Sequence, residues 1–255
     1  MQVVFTDLDG TLLDHASYDW EPARVAIERL RQRGIPWIFV TSKTRAETEH
    51  WRRLLANEHP YVVENGAAAY WPVGYFPREF GSALIWGLPY AEVVSGLAAA
   101  AREVGCRIRG FHQMGVEEVA AACGLPAELA SLAKQREFDE PFELVDRAAE
   151  AELEAALARR RLRLSRGGRF YHASGRADKA GAVLALKGFY EQLGEPVRTI
   201  GLGDAWNDLQ MLQIVDQPVI IRSAQSAQLA ARLPHARLSP APGPVGWNAA
   251  ILALT

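Results

Sequence analysis

The stretch Val3-Val4-Phe5-Thr6-Asp7-Leu8-Asp9-Gly10-Thr11 decides the reading of this chain. A short apolar run, unbroken by polar alternation, ends in two acids, a glycine and a threonine. Runs of this kind suit strands buried on both faces of a parallel sheet. In open α/β sheets, ligands bind in the crevice at the carboxyl ends of such strands. Two carboxylates at that place form a hard-oxygen site suited to Mg²⁺. Gly10 permits a sharp turn, and successive backbone N–H groups then cradle an anion. The plain alternative is a turn with an N-cap, since Asp, Gly and Thr all form turns.

Outward from this stretch, the first third alternates strand and helix patterns. Pro22 to Arg33 predicts a helix with Val25, Ile27 and Leu30 apolar and Gly34 as its C-cap. Ile35 to Val40 predicts a strand ending at Thr41-Ser42, Glu47 to Ala56 a helix, and Tyr61 to Val63 a strand ending at Glu64-Asn65-Gly66. The last third repeats the pattern: helix from Asp178 to Leu193, strand from Val197 to Leu202, helix from Ala205 to Ile214, and strand from Pro218 to Ile221. A short helix at Ala224 to Ala231 and a closing helix at Gly246 to Leu254 complete it, with Ser239 to Pro244 read as a surface loop. The middle mixes types, with a helix from Arg147 to Arg161 and a hairpin of Leu162-Arg163-Leu164 and Phe170-Tyr171-His172 around Gly167-Gly168. The expected fold class is therefore α/β, a doubly wound, Rossmann-like parallel-sheet core at 1–81 and 169–255, with an inserted α+β module at 82–168.

Composition narrows the function classes. A formal charge of −2 argues against non-specific nucleic-acid binding, which needs a broad basic surface. No apolar run approaches the roughly 18 residues that span a bilayer, and Met1-Gln2-Val3-Val4-Phe5 lacks the charged start of an export signal. The two cysteines, Cys106 and Cys123, have no metal-type spacing and read as free thiols in a reducing compartment. A soluble, cytoplasmic protein with a small-molecule partner is the expectation, with neither nucleic acid nor membrane as partner and the oligomeric state left open.

Three more clusters carry chemistry. Thr41 and Ser42 end the second strand, where a hydroxyl donates to a phosphoryl oxygen or caps a helix; Lys43 follows. Gly203-Asp204-Ala205-Trp206-Asn207-Asp208 follows another strand. On a helix starting there, Asp204, Asn207 and Asp208 share one face of the first turn, more polar groups than capping needs, and so form a metal site. Lys179 opens the Asp178 helix, where a cation offsets the charge of a carboxylate nucleophile and a phosphate. Each group alone is ambiguous; four at strand ends or helix starts of one core point together to phosphate chemistry.

Taken in order, these residues resemble the haloacid dehalogenase superfamily of phosphatases. Asp7-Leu8-Asp9-Gly10-Thr11 is similar to its first motif, Thr41 to its second, Lys179 to its third, and Gly203-Asp204 with Asn207-Asp208 to its fourth. The insertion between second and third motifs, with Glu64-Asn65-Gly66-Ala67, resembles the sugar-phosphatase branch that carries an α/β cap. The resemblance implies that Asp7 attacks phosphorus to give an aspartyl-phosphate and that Asp9 protonates the leaving oxygen and then activates water. It implies Mg²⁺ held by Asp7, the Asp9 main-chain carbonyl and Asp204, with Asp208 nearby. Thr41, Ser42, Lys179 and Asn207, with the Asp7-Leu8-Asp9 turn, would hold the phosphoryl oxygens.

Gln135-Arg136-Glu137-Phe138-Asp139-Glu140-Pro141-Phe142, Gly167-Gly168-Arg169-Phe170-Tyr171-His172 and Gly243-Pro244-Val245-Gly246-Trp247-Asn248 are further similar to the mannosyl-3-phosphoglycerate phosphatases within that branch. That resemblance implies a sugar phosphate as substrate and a compatible solute, mannosylglycerate, as product. A glycerate carboxylate calls for a bidentate cation, Arg136 or Arg169, and sugar hydroxyls for Gln135, Glu137, Asp139 or His172. The alternative is that these groups pair with one another across the cap sheet. Rival readings are a phosphatase for another sugar phosphate, a glycosyltransferase using Asp7 and Asp9 to bind a metal–nucleotide-sugar complex, and a phosphate-binding regulator on the same fold. The glycosyltransferase predicts neither Lys179 nor the Asp204 cluster.

Overall fold

The computed structural model describes residues 1–166, 170–194 and 196–255. The chain begins with β1 (Gln2–Thr6), α1 (Arg24–Gln32), β2 (Trp37–Val40), α2 (Arg45–Leu54) and β3 (Tyr61–Val63). Two short strands, β4 (Ala68–Tyr70) and β5 (Ala83–Ile85), follow before the insertion. The insertion comprises α3 (Tyr90–Val104), β6 (Ile108–Gly110), α4 (Val116–Cys123), α5 (Ala127–Ala133), β7 (Asp139–Leu144), α6 (Glu150–Arg159), β8 (Arg163–Arg166) and β9 (Tyr171–Ser174). The chain then returns through α7 (Lys179–Glu191), β10 (Arg198–Gly203), α8 (Leu209–Ile214), β11 (Gln217–Arg222), α9 (Ser226–Arg232), β12 (Arg237–Pro242) and α10 (Gly243–Leu254). Among the described residues, no helix is long and apolar enough to cross a membrane.

The large sheet runs β12-β11-β10-β1-β2-β3-β4-β5. All pairings from β12 to β3 are parallel, and β4 and β5 add antiparallel. β1 is central because its residues are apolar on both faces. Val4 packs with Ala26, Ile27, Leu30, Trp247 and Ile251 on the side of α1 and α10. Val3 and Phe5 pack with Val183, Leu186, Met211 and Leu229 on the side of α7, α8 and α9. Burying each large aliphatic side chain is worth roughly 1.5–3 kcal/mol, so the two layers clamp β1 and bring its carboxyl end to a fixed place. The ladder extends one residue past the strand, since the Asp7 N–H donates to the Leu202 carbonyl at 2.9 Å. Trp247 is fully buried, and its indole N–H donates to Thr6 Oγ1 at 2.9 Å.

The small sheet, β6-β7-β9-β8, is antiparallel. α3 and α6 cover one face through Val93, Leu97, Leu153 and Leu157 against Phe142 and Ala173. The predicted hairpin is β8 with β9, Arg166 pairing Tyr171; Gly167, Gly168 and Arg169 lie outside the described residues.

Several boundaries differ from the sequence expectation. β5 belongs to the large sheet and β9 to the small one, so by sheet membership the insertion begins after Ile85 and ends after Ser174, not at 82 and 168. Ser239 to Pro242, read as loop, lies in β12, an edge strand where proline's missing donor costs no ladder bond. Asp204 does not open a helix: it follows β10 in a turn, and a single 3₁₀ turn, Trp206–Asp208, precedes α8.

Gly66 joins the two halves of the core. Its φ is +97°, and a Cβ there would stand 2.1 Å from the Asp178 carbonyl oxygen at the start of α7. Gly66→Ala should therefore lower unfolding stability by at least about 2 kcal/mol, measured by denaturant titration; parental stability would refute the close approach.

Candidate active site

The carboxyl ends of β1, β2, β10 and β11 converge on one cleft of about 530 Å³ beneath the cap. Behind Asp7, which lines the cleft, Lys179, the first residue of α7, reaches Asp7 Oδ1 and Asp208 Oδ1, both at 2.7 Å. Asp178 sets the start of that helix by accepting from the Gly181 N–H at 2.8 Å. Asp208 Oδ2 accepts from the N–H groups of Asp204 and Ala205, at 3.0 and 3.1 Å, which ties the turn after β10. Thr11 Oγ1 donates to Asp204 Oδ1 at 3.0 Å. Gly10 has φ +74°, and a Cβ there would meet Asp204 Oδ2 at 2.7 Å, so only glycine admits this approach.

Asp7, Asp204 and Asp208 each offer a carboxylate oxygen within 4.8 Å of the others. One ammonium faces three acids away from bulk water, an arrangement that is costly unless further positive charge arrives. Burial pushes Asp7 up to about 7; Lys179 opposes the rise, and Asp208 and Asp9 add to it. Burial, then Asp208 and Asp7, push Asp204 up to about 8. Lys179 itself is held above its ordinary value, because Asp208 and Asp7 outweigh its burial. The all-oxygen donor set fits a hard divalent cation. Both oxygens of Asp208 are already engaged by Lys179 and the backbone, so Asp7 and Asp204 are the better placed ligands and Asp208 the group that holds them.

Asp9 stands apart from this cluster. Its Oδ1 lies 2.9 Å from Lys43 Nζ, an ion pair whose alignment falls short of a hydrogen bond. Lys43 is buried, also faces Glu47 at 3.5 Å and sits 5.0 Å over the Tyr18 ring. Asp9 and Glu47 raise it above its ordinary value against the effect of burial. Leu8 is buried in the core, leaving only its backbone N–H to face a ligand. Thr41, fully buried at the end of β2, accepts the Lys43 N–H at 3.1 Å through Oγ1, which leaves its own proton for another acceptor. Ser42 and Asn207 line the cleft, and Asn207 Nδ2 donates to Asn65 Oδ1 at 3.2 Å.

Glu64 and Asn65 carry φ of 46° and 59°, a left-handed pair of non-glycine residues. The Lys43 and Thr41 carbonyls hold their N–H groups at 3.0 and 2.9 Å, and strain held this way gathers at functional sites. It turns Glu64 toward the insertion, where its carboxylate accepts the N–H groups of Glu137 and Phe138 at 2.9 and 2.8 Å. Arg136 Nε lies 3.6 Å from Glu64. Burial lifts Glu64 to about 7 despite Arg136.

Of the expected cap residues, Arg136 and His172 line the cleft, and Gln135 and Glu137 do not. Arg136 is nearly fully enclosed and committed to Asp139 Oδ1 at 2.6 Å, the Asp139 carbonyl at 3.0 Å and the Ser42 carbonyl at 3.2 Å. His172 Nδ1 is 2.8 Å from the same carboxylate, across the diagonal of the β7–β9 ladder. Mutual pairing thus accounts for Arg136, Asp139 and His172, while Arg169 is outside the described residues. Lys43 and Glu64 were given no role from sequence; the signal for each was position, beside Thr41-Ser42 and at the end of a buried strand. Phe111 and Phe170, edge to face at 5.0 Å, form an apolar wall of which the sequence marked only Phe170, within the segment 167–172.

Known proteins resemble the chain in sequence and in fold. Residues 4–74 match the haloacid dehalogenase-like hydrolase family. The chain is 39% identical to a glucosyl-3-phosphoglycerate/mannosyl-3-phosphoglycerate phosphatase of Persephonella marina, over 98% of this chain and 95% of that protein. It is 36% identical to a mannosyl-3-phosphoglycerate phosphatase of Pyrococcus furiosus, over 87% and 91%. In fold, a haloacid dehalogenase superfamily phosphatase of Bacteroides thetaiotaomicron superposes with a TM-score of 0.70 at 18% identity, over 100% of this chain and 94% of that one. The chain belongs to the haloacid dehalogenase superfamily of hydrolases, among its sugar phosphatases.

The raised acids set a pH dependence. Asp7, Asp204 and Glu64 bind protons more tightly folded than unfolded, so their stabilising effect is full below the ordinary values of 3.8 and 4.5 and is lost as pH rises through about 7 to 8. His59, lowered to about 4 by burial and Arg52, works the other way below 6.5, one group against three. In chelator, the unfolding temperature should fall between about pH 5 and pH 8, and a divalent cation should raise it more at pH 8, where its ligands are ionised. A metal-free protein more stable at pH 8 would contradict the cluster.

Proposed function

We propose that this phosphatase is Mg²⁺-dependent and hydrolyses mannosyl-3-phosphoglycerate to mannosylglycerate and phosphate through an aspartyl-phosphate. The observation that carries the reading is Asp7, pinned at the end of β1 against Lys179 and ringed by Asp204 and Asp208. Asp7 Oδ1 takes the Lys179 ammonium, so the other carboxylate oxygen is the nucleophile. It bonds to phosphorus as the bond to the ester oxygen breaks, and Asp9 gives that oxygen a proton. Asp9 then takes a proton from water as the water attacks the aspartyl-phosphate, releasing phosphate and restoring Asp7. Lys179, Thr41, Ser42, Asn207 and the backbone N–H groups of Leu8 and Asp9 hold the phosphoryl oxygens, positioning being most of what phosphoryl transfer needs. Asp7, Asp204 and the Asp9 main-chain carbonyl would hold Mg²⁺, with Asp208 behind them; the ion supplies charge that offsets the phosphoryl oxygens. The insertion closes the cleft and excludes water. The relatives' names support a glycosyl-3-phosphoglycerate, and the Persephonella marina protein, named for both sugars, makes the glucosyl compound the second reading.

Against a panel of mannosyl- and glucosyl-3-phosphoglycerate and the phosphates of sucrose, trehalose and mannose, the mannosyl compound should give the highest kcat/KM with Mg²⁺, and EDTA should stop turnover of all. A better competitor changes the substrate; indifference to EDTA removes the metal. Asp7→Asn should lower kcat by about a thousandfold or more with the fold retained, and residual turnover near the parental rate would exclude Asp7 as nucleophile.

A further inference from the structure

Besides Lys179, which lies behind Asp7 and is neutralised by Asp7 and Asp208, the cleft is lined by three Arg or Lys side chains among the described residues, and two of them are also neutralised. Lys43 stands between Asp9 and Glu47. Arg136 stands between Asp139 and Glu64 and has donated to the Ser42 carbonyl as well. In each group the acids outnumber the base, so neither offers net positive charge to an incoming anion. Arg222 differs. It is the last residue of β11, its side chain lines the cleft, and its guanidinium has no ion-pair or hydrogen-bond partner among the described residues. Its backbone is nevertheless fixed: its N–H donates to Ser239 Oγ at 2.9 Å, and the next residue, Ser223, donates from Oγ to the Asp204 carbonyl at 2.7 Å.

The position suits one part of the proposed substrate. In a 3-phosphoglycerate ester the carboxylate is separated from the ester oxygen by only two intervening carbons. It must therefore sit near the phosphoryl group, at the core end of the cleft, beyond the reach of the far side of the cap. β11 is the neighbour of β10, about 4.8 Å away as adjacent strands are, and Ile220 pairs with Gly203. Arg222 thus stands two residues beyond the level at which β10 gives way to the Asp204 turn. An unpaired guanidinium there matches a carboxylate bidentately.

We infer that Arg222 is the residue that recognises the carboxylate of the glycerate leaving group, a specificity residue that touches substrate away from the reacting atoms. The inference rests on the proposed glycosyl-phosphoglycerate substrate, and its test separates the two. The kcat/KM for glycosyl-3-phosphoglycerate and for its carboxyl methyl ester are compared in the parent, Arg222→Gln and Arg222→Lys. The parent should favour the free carboxylate by roughly ten- to a hundredfold, the effect of one charge-assisted pair, mostly in KM. Arg222→Gln should erase that ratio and Arg222→Lys restore part of it. A ratio between two substrates of one variant is unaffected by the fraction of protein folded. If the parent shows the preference and Arg222→Gln keeps it, Arg222 is not the reader while the substrate stands. If the parent turns over neither ester, the substrate reading falls and takes this inference with it.

Discussion

One buried ammonium holds the site together. Lys179 bridges Asp7 and Asp208 in a place water scarcely reaches, and charges there are tolerable only when paired. Its position is over-determined. Asp178 caps the helix, Gly66 lets the β3 turn pass against the Asp178 carbonyl, and Asp208 is tied to the backbone of its own turn. With the lysine fixed, Asp7 is held through Oδ1, and a carboxylate oxygen of Asp204 lies within 4.8 Å of one of Asp7. The excess of acid over base that remains is the feature on which the proposed cation site rests.

The parallel sheet delivers these groups because its strand ends share one rim. β1 brings Asp7, β2 Thr41, β3 Glu64, β10 Asp204 and β11 Arg222. The helices on both faces supply apolar packing that fixes each strand without using a polar group at the rim. The left-handed pair Glu64 and Asn65 then turns the rim outward: Asn65 touches Asn207 of the core and Asp139 of the insertion, at 3.2 and 3.4 Å.

The core was legible in the sequence because strands buried on both faces are written as continuous apolar runs, and several of them end in polar residues at the rim. Asp204 and Asp208 were expected together on a helical face; they do converge, but through a turn capped by Asp208, which periodicity does not encode. β4, three residues of Ala-Ala-Tyr, carries no strand signal, and the prolines of β12 read as loop although an edge strand accepts them. The cap was least legible. Arg136, Asp139 and His172 meet along a sheet diagonal, so whether they recognise a ligand or one another depends on register, a property of the folded sheet. Arg222 drew no notice because its significance is the absence of a partner among the described residues, which only packing reveals.

The segment Ser42 to Thr44 has a double allegiance. The Ser42 carbonyl supports Arg136 and the Thr44 hydroxyl donates to the Leu132 carbonyl at 2.9 Å, both in the insertion, while Lys43 between them pairs with Asp9. Cap and core are therefore not interchangeable modules. A cap grafted from a relative would have to reproduce these footholds or displace Lys43, so a change of roof and the setting of Asp9 are bound to the same three residues. New specificity would arise more readily by change along free edges of the cleft than by exchange of the cap as a whole.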